Sequence, residues 1–199
     1  MFTDIVFPDK NEADFVAMAA KLGSGLLFVY ENIDERGLLE LKKSYPSARF
    51  GFLASNLNKL PKPGVFDILI GKQGREYIEH PRIKLIYGFE TIEYKDRFHQ
   101  RNSGLNEVLC KLARDKEKIL AFDFSSLLRA KDKALVLGRM QQNARLMRKF
   151  KNEFVIASFA RTHWEMRAGR DYKGLLEEVG VDGLQGKRAI TLLDSISMS

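Results

Sequence analysis

Short runs of apolar and β-branched residues recur about seven times along the chain, and a segment with helical periodicity follows most of them. Most of these runs are apolar at every position, which is typical of strands that are buried on both faces of a parallel sheet. Parallel neighbours need crossover connections, and the intervening segments are long enough to supply them. The predicted strands are residues 3–7, 26–30, 49–54, 66–70, 83–87, 119–124 and 154–159.

Seven strand–helix units favour a closed barrel over an open doubly wound sheet. The chain has 199 residues, which is short for eight full units. We therefore predict an α/β fold, a compact or irregular TIM-like β/α barrel of about seven parallel strands. Two prolines and a glycine replace one helix by a loop at residues 56–64. We find no internal repeat and no low-complexity linker, so residues 1–199 are expected to form one domain.

The positive charge of the chain is concentrated in its second half. Residues 1–100 hold 14 basic and 14 acidic residues, whereas residues 101–199 hold 19 basic and 12 acidic residues and carry the whole net charge of +7. A surface that neutralises phosphates would need such a concentration. A solvated face with a chance asymmetry is the alternative.

The compartment and the cysteine chemistry are simple to predict. No apolar run is long enough to span a bilayer, and the first residues lack the basic stretch and apolar core of a signal peptide. We expect a cytoplasmic protein that contacts no membrane.

Cys110 is the single cysteine, so it can form no internal disulfide and is expected to be an inert thiol.

A search for catalytic groups finds no coherent set. The three histidines, His80, His99 and His163, are all more than four residues apart, and none follows the first predicted strand, where barrel hydrolases usually begin their metal site. Carboxylates near strand ends, such as Glu90, are as readily helix caps. Residues 71–75 hold two glycines and two cations but lack the spacing of a Walker loop, which favours a turn that enters a helix. We expect no catalytic residue, metal or cofactor in this chain.

Cations fill many of the predicted connections between strands and helices, and arginine presents a rigid fork that matches phosphate oxygens. Aromatic residues are interleaved with them. Packing is favoured for Phe98, whereas for Trp164 core packing and stacking on an unpaired base are evenly balanced. The cations are Lys72, Arg75, Lys95, Arg97, Arg101, Arg129, Lys131, Arg161, Arg167 and Arg170.

A long helix is predicted over residues 131–150, with one apolar face that packs on the barrel. The opposite face is cationic, and no acidic residue lies four positions away to pair with it, so RNA contact explains it better than helix stability does. The apolar face comprises Leu137, Met140, Ala144 and Met147, the opposite face comprises Lys131, Gln142, Arg145 and Lys149, and Arg139 and Arg148 flank the seam.

Several motifs of the second half occur in a characteristic order. The most specific is R-N-S-G-L-N at residues 101–106, which precedes a predicted helix, and the others are residues 119–128, 139–146, 155–158 and 166–171. Together they resemble the ribonuclease P protein component 3 family, the archaeal counterpart of the thirty-kilodalton eukaryotic subunit. The resemblance covers about residues 65–183, and the absence of a long basic tail suits an archaeal member.

The resemblance implies a barrel of the kind shared with metal-dependent phosphoesterases but without the metal histidines. It also implies a subunit of ribonuclease P that binds and stabilises the catalytic RNA, which removes the 5′ leader from precursor tRNA with Mg²⁺ acting through the RNA. A small ferredoxin-like subunit would be the protein partner, and precursor tRNA would be met indirectly. The resemblance implies that the motif arginines contact RNA or support the fold; they are Arg101, Arg139, Arg145 and Arg167. Arg101 could instead brace the barrel rim through a buried carboxylate.

The full set of residues expected to bind RNA adds four cations to the motif residues. It comprises Lys72, Arg101, Arg139, Arg145, Lys149, Arg161, Arg167 and Arg170. Two other hypotheses stay open: a metal-dependent phosphoesterase of the histidinol-phosphatase-like barrel type, and a protein–protein adaptor with no nucleic-acid role.

Overall fold

Seven parallel strands, hydrogen-bonded in chain order, form the central sheet of the computed structural model, which describes residues 2–91 and 102–195. The α/β barrel predicted from the sequence is thus confirmed. Strand ends differ from the prediction by one or two residues in most cases, and Lys72 becomes the last residue of a strand instead of part of a loop. The strands are β1 (Phe2–Val6), β2 (Ser24–Tyr30), β3 (Arg49–Ala54), β4 (Ile68–Lys72), β5 (Leu85–Tyr87), β6 (Ile119–Asp123) and β7 (Glu153–Ala157).

Helices occupy most of the connections and cover the outer face of the sheet. The connection between β3 and β4 has none, as the prolines at residues 56–64 predict. The helix predicted from residue 131 begins two residues later, because the Asp132 carboxylate accepts the backbone N–H of Leu135 at 2.9 Å as an N-cap. The helices are α1 (Glu12–Leu22), α2 (Glu35–Ser44), α3 (Arg75–Glu79), α4 (Glu107–Asp115), α5 (Phe124–Arg129), α6 (Lys133–Lys149), α7 (Gly169–Glu178) and α8 (Gly183–Ser195).

The strands bury both of their faces, because successive side chains point alternately into the barrel and out toward the helices. Ile5, Ile70 and Val155 belong to the inner cluster. Val6 and Ile156, the neighbours of Ile5 and Val155 in the chain, belong to the outer cluster under the helices. This double burial explains why the strand sequences are apolar at every position.

At the seam between β1 and β7 the barrel is nearly closed. Val6 forms a parallel bridge with Ala160, and the backbone N–H of Phe7 donates to the Ala160 carbonyl at 2.7 Å. The Ser158 hydroxyl also donates to the carbonyl of Ile5 at 3.1 Å. The chain just beyond β7 therefore continues the sheet around to its first strand.

The C-terminal helix α8, for which the sequence offered no role, lies against β1 and β7. Leu193 joins the inner apolar cluster of the barrel. Arg49, at the start of β3, donates to the carbonyl of Leu193 at 2.6 Å and lies 3.5 Å from the Asp194 carboxylate, which also accepts from the Thr3 hydroxyl. The helix thus caps the end of the barrel at which the strands begin.

Within residues 2–91 and 102–195, none of the helices has the length and apolar character needed to cross a membrane.

Candidate nucleic-acid interface

Three aromatic rings fill the barrel at the end where its strands finish. The rings of Tyr87 and Phe159 are stacked, with centroids 4.5 Å apart and planes 6° from parallel. Phe7 packs against both, at 5.8 Å from Tyr87 and 5.9 Å from Phe159. Barrel enzymes place their reacting groups at this end. Here apolar surface occupies the interior at that position.

A cavity of about 530 Å³ lies at this end of the barrel, and Phe7 and Tyr87 form part of its lining. Its lining brings together Lys72, from the end of β4, and Arg161, which follows β7, although the two are far apart in the chain. Asp9 and Glu31 line the same cavity, so its charge is mixed. The side chains of Lys72 and Arg161 have no hydrogen-bond or ion-pair partner among the described residues.

A pair of buried carboxyl groups lies beside the mouth, at the ends of neighbouring strands. Glu90 Oε1 accepts the backbone N–H of Asp123 at 2.8 Å and the hydroxyl of Ser126 at 3.4 Å. Burial, together with the nearby Asp123 carboxyl, raises the pKa of Glu90 to about 8. Burial likewise raises the pKa of Asp123 to about 7. Asp123 also caps α5 by accepting the Ser126 N–H at 3.0 Å, so the pair fastens this short helix to the sheet.

The described residues do not assemble a metal site. No group of three or more His, Cys, Asp or Glu side chains among them could hold an ion. The His80 carbonyl accepts from Lys118, just before β6, whereas His163 follows β7, so the two lie toward opposite ends of the barrel. His99 falls outside the described residues. The described side chains at this mouth therefore do not fit the zinc site of a barrel phosphoesterase.

Arg139 requires a correction to the expected RNA-binding set. Its side chain is buried, with 4% of the residue exposed, and its guanidinium donates to the Glu90 carbonyl at 3.3 Å. A group in this position supports the fold and does not face a phosphate. The sequence could not show this, because the helix periodicity placed Arg139 at the edge of the buried face.

Some cations on the outer face of α6 have acidic partners that the sequence of the helix does not predict. Arg145 is exposed and has no partner among the described residues. Lys149, in contrast, lies 2.6 Å from the Glu107 carboxylate on α4, and this hydrogen bond lowers the pKa of Glu107. Arg148 approaches Asp182 at 3.8 Å. These acidic partners lie on other elements, so the spacing of charges along α6 does not predict them.

Two further side chains of α6 differ from the prediction. Gln142, assigned to the exposed face, is partly buried and donates to the Ser103 hydroxyl at 3.1 Å. Leu137 is only partly buried, and Val136 takes its place in the core. Met140, Ala144 and Met147 are buried as predicted.

Three of the expected cations, Arg161, Arg167 and Arg170, follow β7, and their contacts differ. The Arg167 guanidinium donates to the carbonyls of Trp164 and Met166, at 2.8 and 2.7 Å, so it holds the local backbone. Arg170 is exposed and lies 3.8 Å from the Asp171 carboxylate. Trp164 is itself exposed, which decides against the core-packing interpretation. Arg101, together with Lys95, Arg97 and Phe98, falls outside the described residues.

Comparisons with known proteins identify a family for this chain. The family model for RNase P subunit p30 matches residues 91–197. The ribonuclease P protein component 3 of Methanococcus maripaludis is 28% identical over 100 residues, which are 49% of this chain and 43% of that protein. The match thus spans less than half the length of that relative.

Two solved structures share the fold. A chain in the cryo-EM structure of archaeal ribonuclease P with mature tRNA superposes with a TM-score of 0.78 at 18% identity, covering 96% of this chain and 88% of the other. The histidinol phosphate phosphatase of Lactococcus lactis, crystallised with zinc, L-histidinol and phosphate, gives 0.62 at 11% identity, covering 91% and 94%. At these identities the similarity establishes the barrel alone.

Proposed function

The chain belongs to the RNase P subunit p30 family, and from that premise we propose that it acts as a protein subunit of ribonuclease P. In this role it binds and stabilises the RNA that removes the 5′ leader from precursor tRNA. The family model, which covers residues 91–197, supports the proposal. The same region contains the basic half of the chain.

The observation that carries the RNA-binding part is the exposure of cations without acidic partners. Arg145 on α6 and the pair Lys72 and Arg161 at the barrel mouth have no partner among the described residues. A cation that already forms an ion pair gains less from a phosphate, whereas a free one displaces condensed counterions when it binds. These groups would offset the repulsion between phosphates as the RNA compacts.

Catalysis is assigned to the RNA, with Mg²⁺ acting through the RNA. Two features of the described residues support this assignment. The mouth of the barrel is filled by Phe7, Tyr87 and Phe159. The buried carboxyls of Glu90 and Asp123 are engaged with the backbone of β6 and α5. The phosphoesterase hypothesis retains only a shared fold with an enzyme that is 11% identical.

The remaining partners follow from the same premise. We assign a small ferredoxin-like ribonuclease P subunit as the protein partner, and precursor tRNA as a substrate that is reached through the RNA. We place the chain in the cytoplasm, as a subunit of an archaeal-type ribonuclease P that processes precursor tRNA.

Reconstitution tests the proposal directly. The cognate RNase P RNA is assayed for cleavage of precursor tRNA with and without the purified chain, over a range of Mg²⁺ concentrations. We expect the chain to lower the Mg²⁺ requirement, to cleave nothing alone, and to bind the RNA with an affinity that falls roughly tenfold or more between 50 and 200 mM salt. An affinity that stays flat over this range, or cleavage by the chain alone, would contradict the proposal.

A further inference from the structure

Trp164 is a large aromatic side chain that the fold leaves in water. It lies in the 3₁₀ turn His163–Glu165, which follows β7, and 72% of the residue is exposed. Large aromatic residues are usually buried in good part, because their removal from water stabilises a fold. It is also the single tryptophan of the chain.

The backbone that carries Trp164 is fixed by several hydrogen bonds. The Arg167 guanidinium donates to the Trp164 carbonyl at 2.8 Å. The Glu165 carboxylate accepts the backbone N–H of Arg161 at 2.7 Å and that of Thr162 at 3.4 Å. The exposure of the indole is therefore built into a rigid turn and does not result from a loose loop.

Exposed positive charges flank Trp164 along the chain. Arg161 and Arg170, three residues before it and six after it, are both exposed. The Glu165 carboxylate, beside Trp164, is neutralised by Arg129 at 3.0 Å. Two other acidic groups lie close to this segment: Asp171 is 3.8 Å from Arg170, and Asp14 is 3.9 Å from the His163 ring. The His163 ring itself lies 4.4 Å from the indole.

We propose that the indole of Trp164 is a stacking platform for an unpaired RNA base, with Arg161 and Arg170 binding the phosphates on either side of that base. This inference rests on the proposed function and adds to it a site for single-stranded RNA. Aromatic faces stack on any base, and flanking cations hold the backbone. A protein partner would instead favour an apolar patch with few charges at its centre. Arg161 also lines the mouth cavity, so the platform stands at the rim of the barrel.

The emission of the single tryptophan tests the platform in the intact chain. The protein is titrated with a transcript of the RNase P RNA and, separately, with a perfectly paired RNA duplex. Stacking is expected to quench the emission with the transcript, whereas the duplex, which offers no unpaired base, binds with little quenching. Binding of the transcript without quenching would overturn the platform and leave the proposed function standing. Failure of the transcript to bind at all would remove both.

Variants separate stacking from apolar contact. Trp164→Phe keeps an aromatic face and is expected to retain transcript affinity within roughly threefold, whereas Trp164→Ala should lose roughly five- to a hundredfold. Leu184→Ala is the matched control, because Leu184 is an exposed apolar residue on α8, and its affinity should not change. A Trp164→Ala variant that binds the transcript normally but no longer binds a protein subunit of the reconstituted enzyme would overturn the proposal in favour of protein docking.

Discussion

The carboxylate of Asp4 on β1 accepts the backbone N–H of Ser158, the residue after β7, at 2.6 Å. The same oxygen accepts the Ile5 N–H at 3.0 Å. One side chain thus joins the first strand of the barrel to the last. Burial raises the pKa of Asp4 to about 7, because desolvation disfavours the charged carboxylate.

Replacing Asp4 tests how much this link stabilises the seam. Asp4→Ala leaves the buried Ser158 N–H without its acceptor, and we expect the free energy of unfolding to fall by about 2–4 kcal/mol. Asp4→Asn keeps an oxygen acceptor and should lose less. Urea denaturation at neutral pH measures both variants. Equal losses in the two would show that the acceptor oxygen is not what holds the seam.

The buried carboxyl Glu90 predicts a pH dependence of stability. Its pKa in the folded state is raised to about 8, so the folded chain holds a proton that the unfolded chain releases. The associated stability is present in full below about pH 4 and is lost as pH rises through about 8. Glu90→Gln cannot ionise, so its stability relative to the wild type should be greater at pH 8.5 than at pH 5, by about 1 kcal/mol or more.

Thermal unfolding of both proteins at the two pH values measures this difference, and any cost of the substitution that does not depend on pH cancels. Glu40→Gln, on the exposed face of α2, is the control and should show no such trend. A Glu90→Gln difference that is the same at both pH values would mean that Glu90 does not carry the raised pKa.

Arg139 and Arg145 form a matched pair on α6, one buried and one exposed. Arg139→Ala removes a buried hydrogen-bonded cation, and we expect it to lower the free energy of unfolding by about 2 kcal/mol or more. Arg145→Ala should change it by less than about 0.5 kcal/mol. Chemical denaturation compares the two, and similar stabilities would contradict the assignment of Arg139 to fold support.

The Lys149–Glu107 pair allows RNA binding to be changed in both directions. Arg145→Ala combined with Lys149→Ala should leave the melting temperature nearly unchanged, weaken RNA binding and raise the Mg²⁺ requirement of the reconstituted enzyme. Glu107→Gln releases Lys149 and removes a negative charge, so RNA affinity should rise, by roughly twofold. Filter binding at several salt concentrations measures both. Unchanged affinity in the double variant would remove this face of α6 from the RNA-binding surface.

Helix α6 shows how much of the site can be predicted from the sequence. Met140 and Ala144 were placed correctly in the core, because a buried stripe follows the helix period. The same period could not show that Arg139 is buried, because its guanidinium donates to the carbonyl of Glu90, which lies 49 positions away on another element. Nor could it find Glu107 as the partner of Lys149, since the two are 42 positions apart.

The sequence by itself determined the seven strands and their parallel pairing, because burial on both faces leaves an apolar pattern that is local and readable. It also determined the family, through motifs that lie in order along the second half of the chain. Only the tertiary structure decided which cations remain free, that Trp164 faces water, and that α8 closes one end of the barrel. These properties depend on contacts between residues far apart in the chain, and a local pattern of residues does not record such contacts.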